Sequence, residues 1–164
     1  MNVIEFLKPR LVGARFDGHA IPLEVLKDLA VLEEMIVEVA KWKYLSAHPD
    51  RKRSPRGFMD GIQLKLTGIE DGSAKPVISL FVASALLFPP ESQRHVEEAR
   101  DAIISAIDAA EQNRVITDYL PEEALTYFDR IGRSLRDGEA FEFAVPNRAE
   151  PTRLTREVRR KLVF

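Results

Sequence analysis

The sequence predicts an α+β domain, a small antiparallel sheet with helices gathered on it, and three observations carry that reading. Two β-prone runs, residues 61–67 and 77–83, flank a turn signal at Asp71-Gly72. Stretches with apolar residues at three- and four-residue spacing stand on either side of this pair, at 22–46 and 91–112. A short run in which Phe141, Phe143 and Val145 alternate with Glu142 and Ala144 adds a further strand. The hairpin at about 61–83 is expected to be the centre of the sheet.

Residues 1–9 carry no clear pattern, and Pro9 closes them. Residues 10–17 read as a short strand with Val12, Ala14 and Phe16 on one side, ended by a turn at Asp17-Gly18. Pro22 suits the first turn of a helix. In that helix Val25, Leu29, Leu32, Ile36, Val39 and Lys43 form the inward stripe, widened by Leu26, Ala30, Val37 and Ala40. Asp28 falls on the wet side with Glu24, Lys27, Glu34, Glu38 and Lys41. A stripe this wide should cover most of the hairpin's apolar face. Pro49 ends the helix.

Parity argues the hairpin register. A two-residue loop at Asp71-Gly72 sets Leu66 opposite Val77 and mixes apolar with polar positions. A three-residue loop, Glu70-Asp71-Gly72, sets Ile62 opposite Leu80 and Leu64 opposite Ile78, and keeps Gln63, Lys65 and Thr67 on the other face. The second register is expected.

Beyond Pro89-Pro90 the helix at 91–112 has a narrower stripe of Val96, Ala99, Ile103, Ile107 and Ala110. Pro121 opens a third helix with Leu125, Phe128, Ile131 and Leu135 inward and Arg130, Arg133 and Arg136 outside. Gly132 within it implies close packing or a ligand, because glycine costs a helix interior roughly 1 kcal/mol relative to alanine. Asp137-Gly138 turns into the strand 139–145. A last basic helix over 152–164, capped by Thr152 or Thr155, turns Leu154, Val158 and Leu162 inward. Its apolar finish, Leu162-Val163-Phe164, suggests that the segment docks on its own domain, pairs with another chain or leads into a further domain. At least Leu162 is expected to be buried, with the helix near the acidic helix 91–112 of the same chain or of a second copy.

At 164 residues the chain suits one domain over 1–164 with a substantial core. With 45% hydrophobic and 30% charged residues it reads as globular rather than disordered. No apolar run approaches the roughly 18 residues of a membrane helix, so no membrane partner is expected. The start lacks a secretory layout, and a bacterial cytoplasmic location is expected. The absence of cysteine removes disulfides and thiolate chemistry, and three scattered histidines argue against a metal site. No cofactor and no catalytic residue are expected.

Charge is segregated although the net value is only −2. Six acids face two arginines over 91–113, six bases face two acids over 147–164, and the two-proline loop 48–57 sets Arg51, Lys52, Arg53 and Arg56 against Asp50. The loop cations can bind phosphates as a group, and Arg133 and Arg136 can line an anion site near Gly132. Cations at a helix end also offset its dipole, which accounts for the same letters. These six residues are the binding candidates. The leading expectation is a non-catalytic interaction or regulatory domain, whose partner is another protein, a further domain of the same protein, or a second copy. The alternative is a nucleic-acid-binding module or metal-dependent nuclease using the loop. Asp50, Gln63 and Lys65, with Glu34 or Glu38, resemble the variant motif of restriction-endonuclease-like nucleases, with glutamine replacing a carboxylate.

Four segments, Arg15-Phe-Asp-Gly-His-Ala-Ile-Pro-Leu23, Gly68-Ile-Glu-Asp-Gly-Ser-Ala-Lys-Pro-Val77, Gly132-Arg-Ser-Leu-Arg-Asp-Gly-Glu139 and Val158-Arg-Arg-Lys-Leu162, carry a family resemblance. The chain resembles the amino-terminal domain of a family of uncharacterised bacterial proteins. The resemblance implies a prokaryotic intracellular origin and a further carboxy-terminal region. It brings no catalytic residue and no substrate.

Overall fold

The computed structural model describes residues 2–13, 16, 21–70, 75–82 and 91–163. Five strands form one antiparallel sheet: β1 (Asn2–Val12), β2 (Ile62–Glu70), β3 (Lys75–Val82), β4 (Ala140–Ala144) and β5 (Thr152–Thr155). Their order is β2-β3-β1-β4-β5. The helices are α1 (Leu23–Ala47), α2 (Glu91–Glu111), a four-residue α3 (Glu122–Leu125) continued by a 3-10 turn (Thr126–Asp129), and α4 (Arg156–Leu162). The α+β reading holds. The middle strand, however, is β1, and the hairpin β2–β3 lies at one edge.

β1 does two jobs along its length. Residues Asn2 to Leu7 pair with β3, and Lys8 to Val12 pair with β4. The handover falls at a register shift between Glu5 and Leu7, which leaves Phe6 outside the pairs. Its carbonyl instead accepts a hydrogen bond from Arg100 Nη1 of α2 at 2.9 Å, and the guanidinium lies 4.8 Å from the Phe6 ring. Past the shift, β1 has a ladder neighbour on one side only among the described residues. Pro9, paired with Phe143, therefore needs no N–H on the other. Proline does not end this strand as expected; it marks where the strand changes partner. The strand stops at Val12 rather than 17, and the turn pair Asp17-Gly18 lies outside the described residues.

The hairpin keeps the predicted faces with a different pairing. Leu64 stands opposite Leu80 and Leu66 opposite Ile78, two residues out of the expected register. Glu70 pairs with Lys75, so the Glu70–Gly72 loop is not the connection made. Gly72 itself lies outside the described residues. A second shift, between Leu66 and Gly68, sets Thr67 in a bulge, where its hydroxyl meets Ser79 Oγ at 3.0 Å. Because both errors are even-numbered or absorbed by the bulge, Ile62 and Leu80 still reach the core.

All helices that the sheet carries lie on one side, and the core is the layer between. Phe6, Leu7, Leu11 and Leu80 meet Met35, Ile36 and Val39 of α1 and Ile103 and Ile107 of α2. α2 is buried more widely than its narrow stripe predicts, because it has α1 on one flank and β5 with α4 on the other. On the other sheet face Glu142 joins Arg10 (3.8 Å) and Arg153 (3.5 Å) across three strands.

The predicted third helix breaks up. Leu125, Phe128, Ile131 and Leu135 are all buried as expected, but through α3, the 3-10 turn and further turns. Gly132 has φ +81°, and a Cβ there would sit 3.3 Å from Leu135 and 3.4 Å from Leu154. Its role is close packing in a left-handed turn, a conformation that costs other residues about 1–2 kcal/mol. The last segment divides too. Thr152–Thr155 is a strand, and only Arg156–Leu162 is helical, capped by Thr155 Oγ1 accepting from Val158 N–H at 3.2 Å. Leu162 is fully buried and α4 packs on α2 within the same chain, one of the outcomes expected of the apolar finish; Val163 is exposed, and Phe164 lies outside the described residues.

Candidate functional site

The wide stripe of α1 is the origin of the site. Val25, Leu32, Ile36 and Val39 go into the core, and Met35 and Tyr44 join them. α1 has to serve both the sheet and α2, and one helix face cannot reach both and also close over the hairpin's far half. Leu26, Leu29 and Ala30 are left facing Leu64, Leu66 and Ile78 across an open apolar groove of about 240 Å³. Leu26 is 36% exposed and Leu66 50% exposed. The stripe does not cover the hairpin as expected, and its surplus becomes one wall of a groove. A second, more polar recess of about 450 Å³ shares Glu33, Leu64 and Lys65 with it and adds Val37, Met59, Ile62 and Gln63. It wraps the outer edge of β2, since Ile62 and Leu64 belong to the helix side and Gln63 and Lys65 to the open side. Lys65 Nζ lies 4.8 Å from the Phe81 ring.

The polar recess, not the apolar groove, meets the basic connection, at Met59. Between α1 and β2 the chain runs through turns in which Phe58 N–H donates to Pro55 O (3.1 Å) and Ile62 N–H to Met59 O (3.0 Å). Phe58 is buried against Tyr44, ring centroids 5.7 Å apart, which anchors the connection. Arg51, Lys52, Arg53 and Arg56 are exposed on it and make no ion pair with a described residue. Arg133 and Arg136 are exposed elsewhere, beside the N-terminal part of α1, where Gly132 N–H and Ser134 Oγ donate to Asp28. Twenty residues of helix separate Asp28 from His48, a span of about 30 Å. The six candidates therefore form two separate groups.

Near Gly132 the cation that satisfies helix-end carbonyls is one the sequence did not single out. Arg159 of α4 donates from Nε to Ile131 O (3.2 Å) and from Nη2 to Asp129 O (2.6 Å). Burial, and next the charge of Arg133, hold its guanidinium below the ordinary arginine range. The dipole-offset role thus falls to Arg159, while Arg133 stands exposed beside it.

A polar cluster also joins α1 to α2. Glu91 Oε1 lies 3.2 Å from His48 Nε2 and 3.6 Å from His95 Nε2, and His48 Nδ1 is 2.9 Å from Tyr44 O. His95 is 1% exposed; its Nδ1 lies 3.3 Å from Glu98 Oε1, yet it has no partner of hydrogen-bonding geometry. Tyr44 stacks on His48 at 4.1 Å. Among the described residues no three histidine, aspartate or glutamate side chains are placed to hold a metal ion. Of the nuclease-like set, Glu34 pairs with Arg130, Glu38 with Lys41, and Lys65 lies over Phe81, while Gln63 and Lys65 share the recess at the edge of β2.

No protein-family model, curated protein or solved structure matches the chain. Among the described residues no helix is long and apolar enough to cross a membrane.

Proposed function

We propose that this domain is a non-catalytic interaction module that docks another protein in the groove between α1 and β2. One observation carries the reading: Leu26 and Leu66 remain exposed on facing walls of an apolar groove that the core leaves open. A photo-crosslinking amino acid at position 66, in cells of the source organism, is expected to give a discrete adduct that Leu26→Asp abolishes. The same amino acid at Glu157, on the exposed side of α4, is expected to give none. Equal labelling at both positions, or an adduct indifferent to Leu26→Asp, would remove the groove from consideration.

A second reading has its own observation, the four exposed cations at 51–56 that pair with no described residue. If they bind nucleic acid, affinity for a duplex must fall steeply with salt, since each neutralised phosphate contributes about −0.9 to the log–log slope. A protein-docking domain is expected to show weak duplex binding at low salt and none near physiological salt. A slope near −3 or −4 with submicromolar binding, on the order of what three or four phosphate contacts produce, would move the function to nucleic acid.

A further inference from the structure

We infer that the partner enters the groove as an extended strand, laid antiparallel along β2, with acidic residues at its own C-terminal end. This rests on the docking reading above and names the form and chemistry of what docks.

The form follows from the edge. Among the described residues β2 pairs with β3 alone. An edge strand turns alternate N–H and C=O groups outward, and a neighbouring strand satisfies them in register. A helix lying in the same groove would leave those groups to water. The recess lined by Ile62, Gln63, Leu64 and Lys65, with Met59, Glu33 and Val37 opposite, follows this outer edge. A strand seated there sends every second side chain toward Leu64, Leu66 and Leu26, an apolar wall that no described residue covers. The bulge at Thr67 limits regular pairing to Ile62–Leu66, so the recognised segment is about five residues long.

The direction and charge follow from the connection into β2. Antiparallel pairing is the more stable arrangement per residue, and every pair in this sheet is antiparallel. A strand antiparallel to β2 runs its C-terminal end toward Ile62. That is where the connection carrying Arg51, Lys52, Arg53 and Arg56 arrives, with four exposed positive charges that nothing described neutralises. Carboxylates at the partner strand's end complement them. Negative charge at its beginning would lie a strand length away, beyond the screening distance of about 8 Å.

Four dye-labelled peptides test this on the full chain by fluorescence anisotropy. The first alternates Val and Thr over six residues and ends in Asp-Glu-Asp. The second carries the same acids at its N-terminus. The third is the first with alternate backbone nitrogens methylated. The fourth is an amphipathic helix-former of equal charge. The first is expected to bind about tenfold or more tighter than each of the others. The double substitution Arg53→Glu and Arg56→Glu should erase its advantage over the second, and Leu66→Glu should weaken the first about tenfold without lowering the melting temperature. Equal binding of the methylated peptide overturns strand addition, because its side chains are intact and only the ladder bonds are gone. Binding of the helical peptide alone also overturns it, yet keeps the groove as the docking surface. Equal binding of the first two peptides overturns the acidic end. If no peptide binds while the crosslink at position 66 forms, strand addition is wrong and docking stands; if neither occurs, both fail.

Discussion

Truncation after Glu150 is expected to abolish cooperative unfolding at room temperature. The lost residues form β5 and α4, and they bury Thr152, Leu154, Val158 and Leu162. Burying a large aliphatic side chain is worth about 1.5–3 kcal/mol, so Leu154, Val158 and Leu162 together approach the total stability of about 5–15 kcal/mol that domains have. Removal also strips β4 of its outer partner and α2 of the flank that α4 and β5 cover. Arg159 goes as well, leaving the carbonyls of Ile131 and Asp129 without their donor. A graded version is Leu162→Ala, expected to cost about 2–5 kcal/mol because the site is fully enclosed. Urea titration followed by circular dichroism measures both. A truncated chain that keeps the parent's midpoint would show that the last two elements contribute nothing to the core.

The residues that predicted correctly did so through periodicity, and the failures have physical causes. Ile36, Val39, Ile103, Ile107, Phe141 and Leu162 are buried because a 3.6 or 2.0 period identifies a face whatever that face meets. β1 was illegible because its two halves pair with different neighbours and a bulge interrupts the alternation between them. The hairpin register could not be fixed to better than its parity, since a shift of two residues preserves both faces. The width of the α1 stripe was visible in Leu26 and Ala30. What it would face was not, because that depends on how α1 divides itself between α2 and the sheet. The buried polar groups Asp28, His95 and Arg100 had no signal at all. Asp28 lies on a helix position that reads as wet, and Arg100 and His95 are polar residues beside the α2 stripe; each is buried because a distant segment supplies a wall or a partner, Gly132 and Ser134 for Asp28, Phe6 for Arg100 and Tyr44 for His95.

Asp28 offers the second large effect, with opposite signs for two substitutions. Its Oδ2 accepts from Gly132 N–H at 3.2 Å and from Ser134 Oγ at 3.4 Å, fastening the turn after the 3-10 segment to α1. Asp28→Ala leaves a buried N–H unpaired and is expected to cost about 1–3 kcal/mol. Asp28→Asn keeps an acceptor in the same place and removes a charge that is costly there. Burial is the largest influence on this carboxyl and raises its pKa above the ordinary 3.8. The two hydrogen bonds lower it by less, Glu24 adds to the rise, and Arg159 opposes it. The folded protein therefore holds the Asp28 proton to a higher pH than the unfolded chain does. Between 3.8 and the raised folded value the native state binds more protons, so the stability that Asp28 contributes falls as pH rises through that window. Other carboxylates titrate in the same range, and subtracting the Asp28→Asn profile from the parent's isolates this group. The parent's stability relative to Asp28→Asn is expected to decline from pH 3.8 upward and then level off, with the asparagine variant equal or more stable at pH 7. A difference that rises with pH would mean that Arg159 outweighs burial and that the ionised carboxylate strengthens the fold.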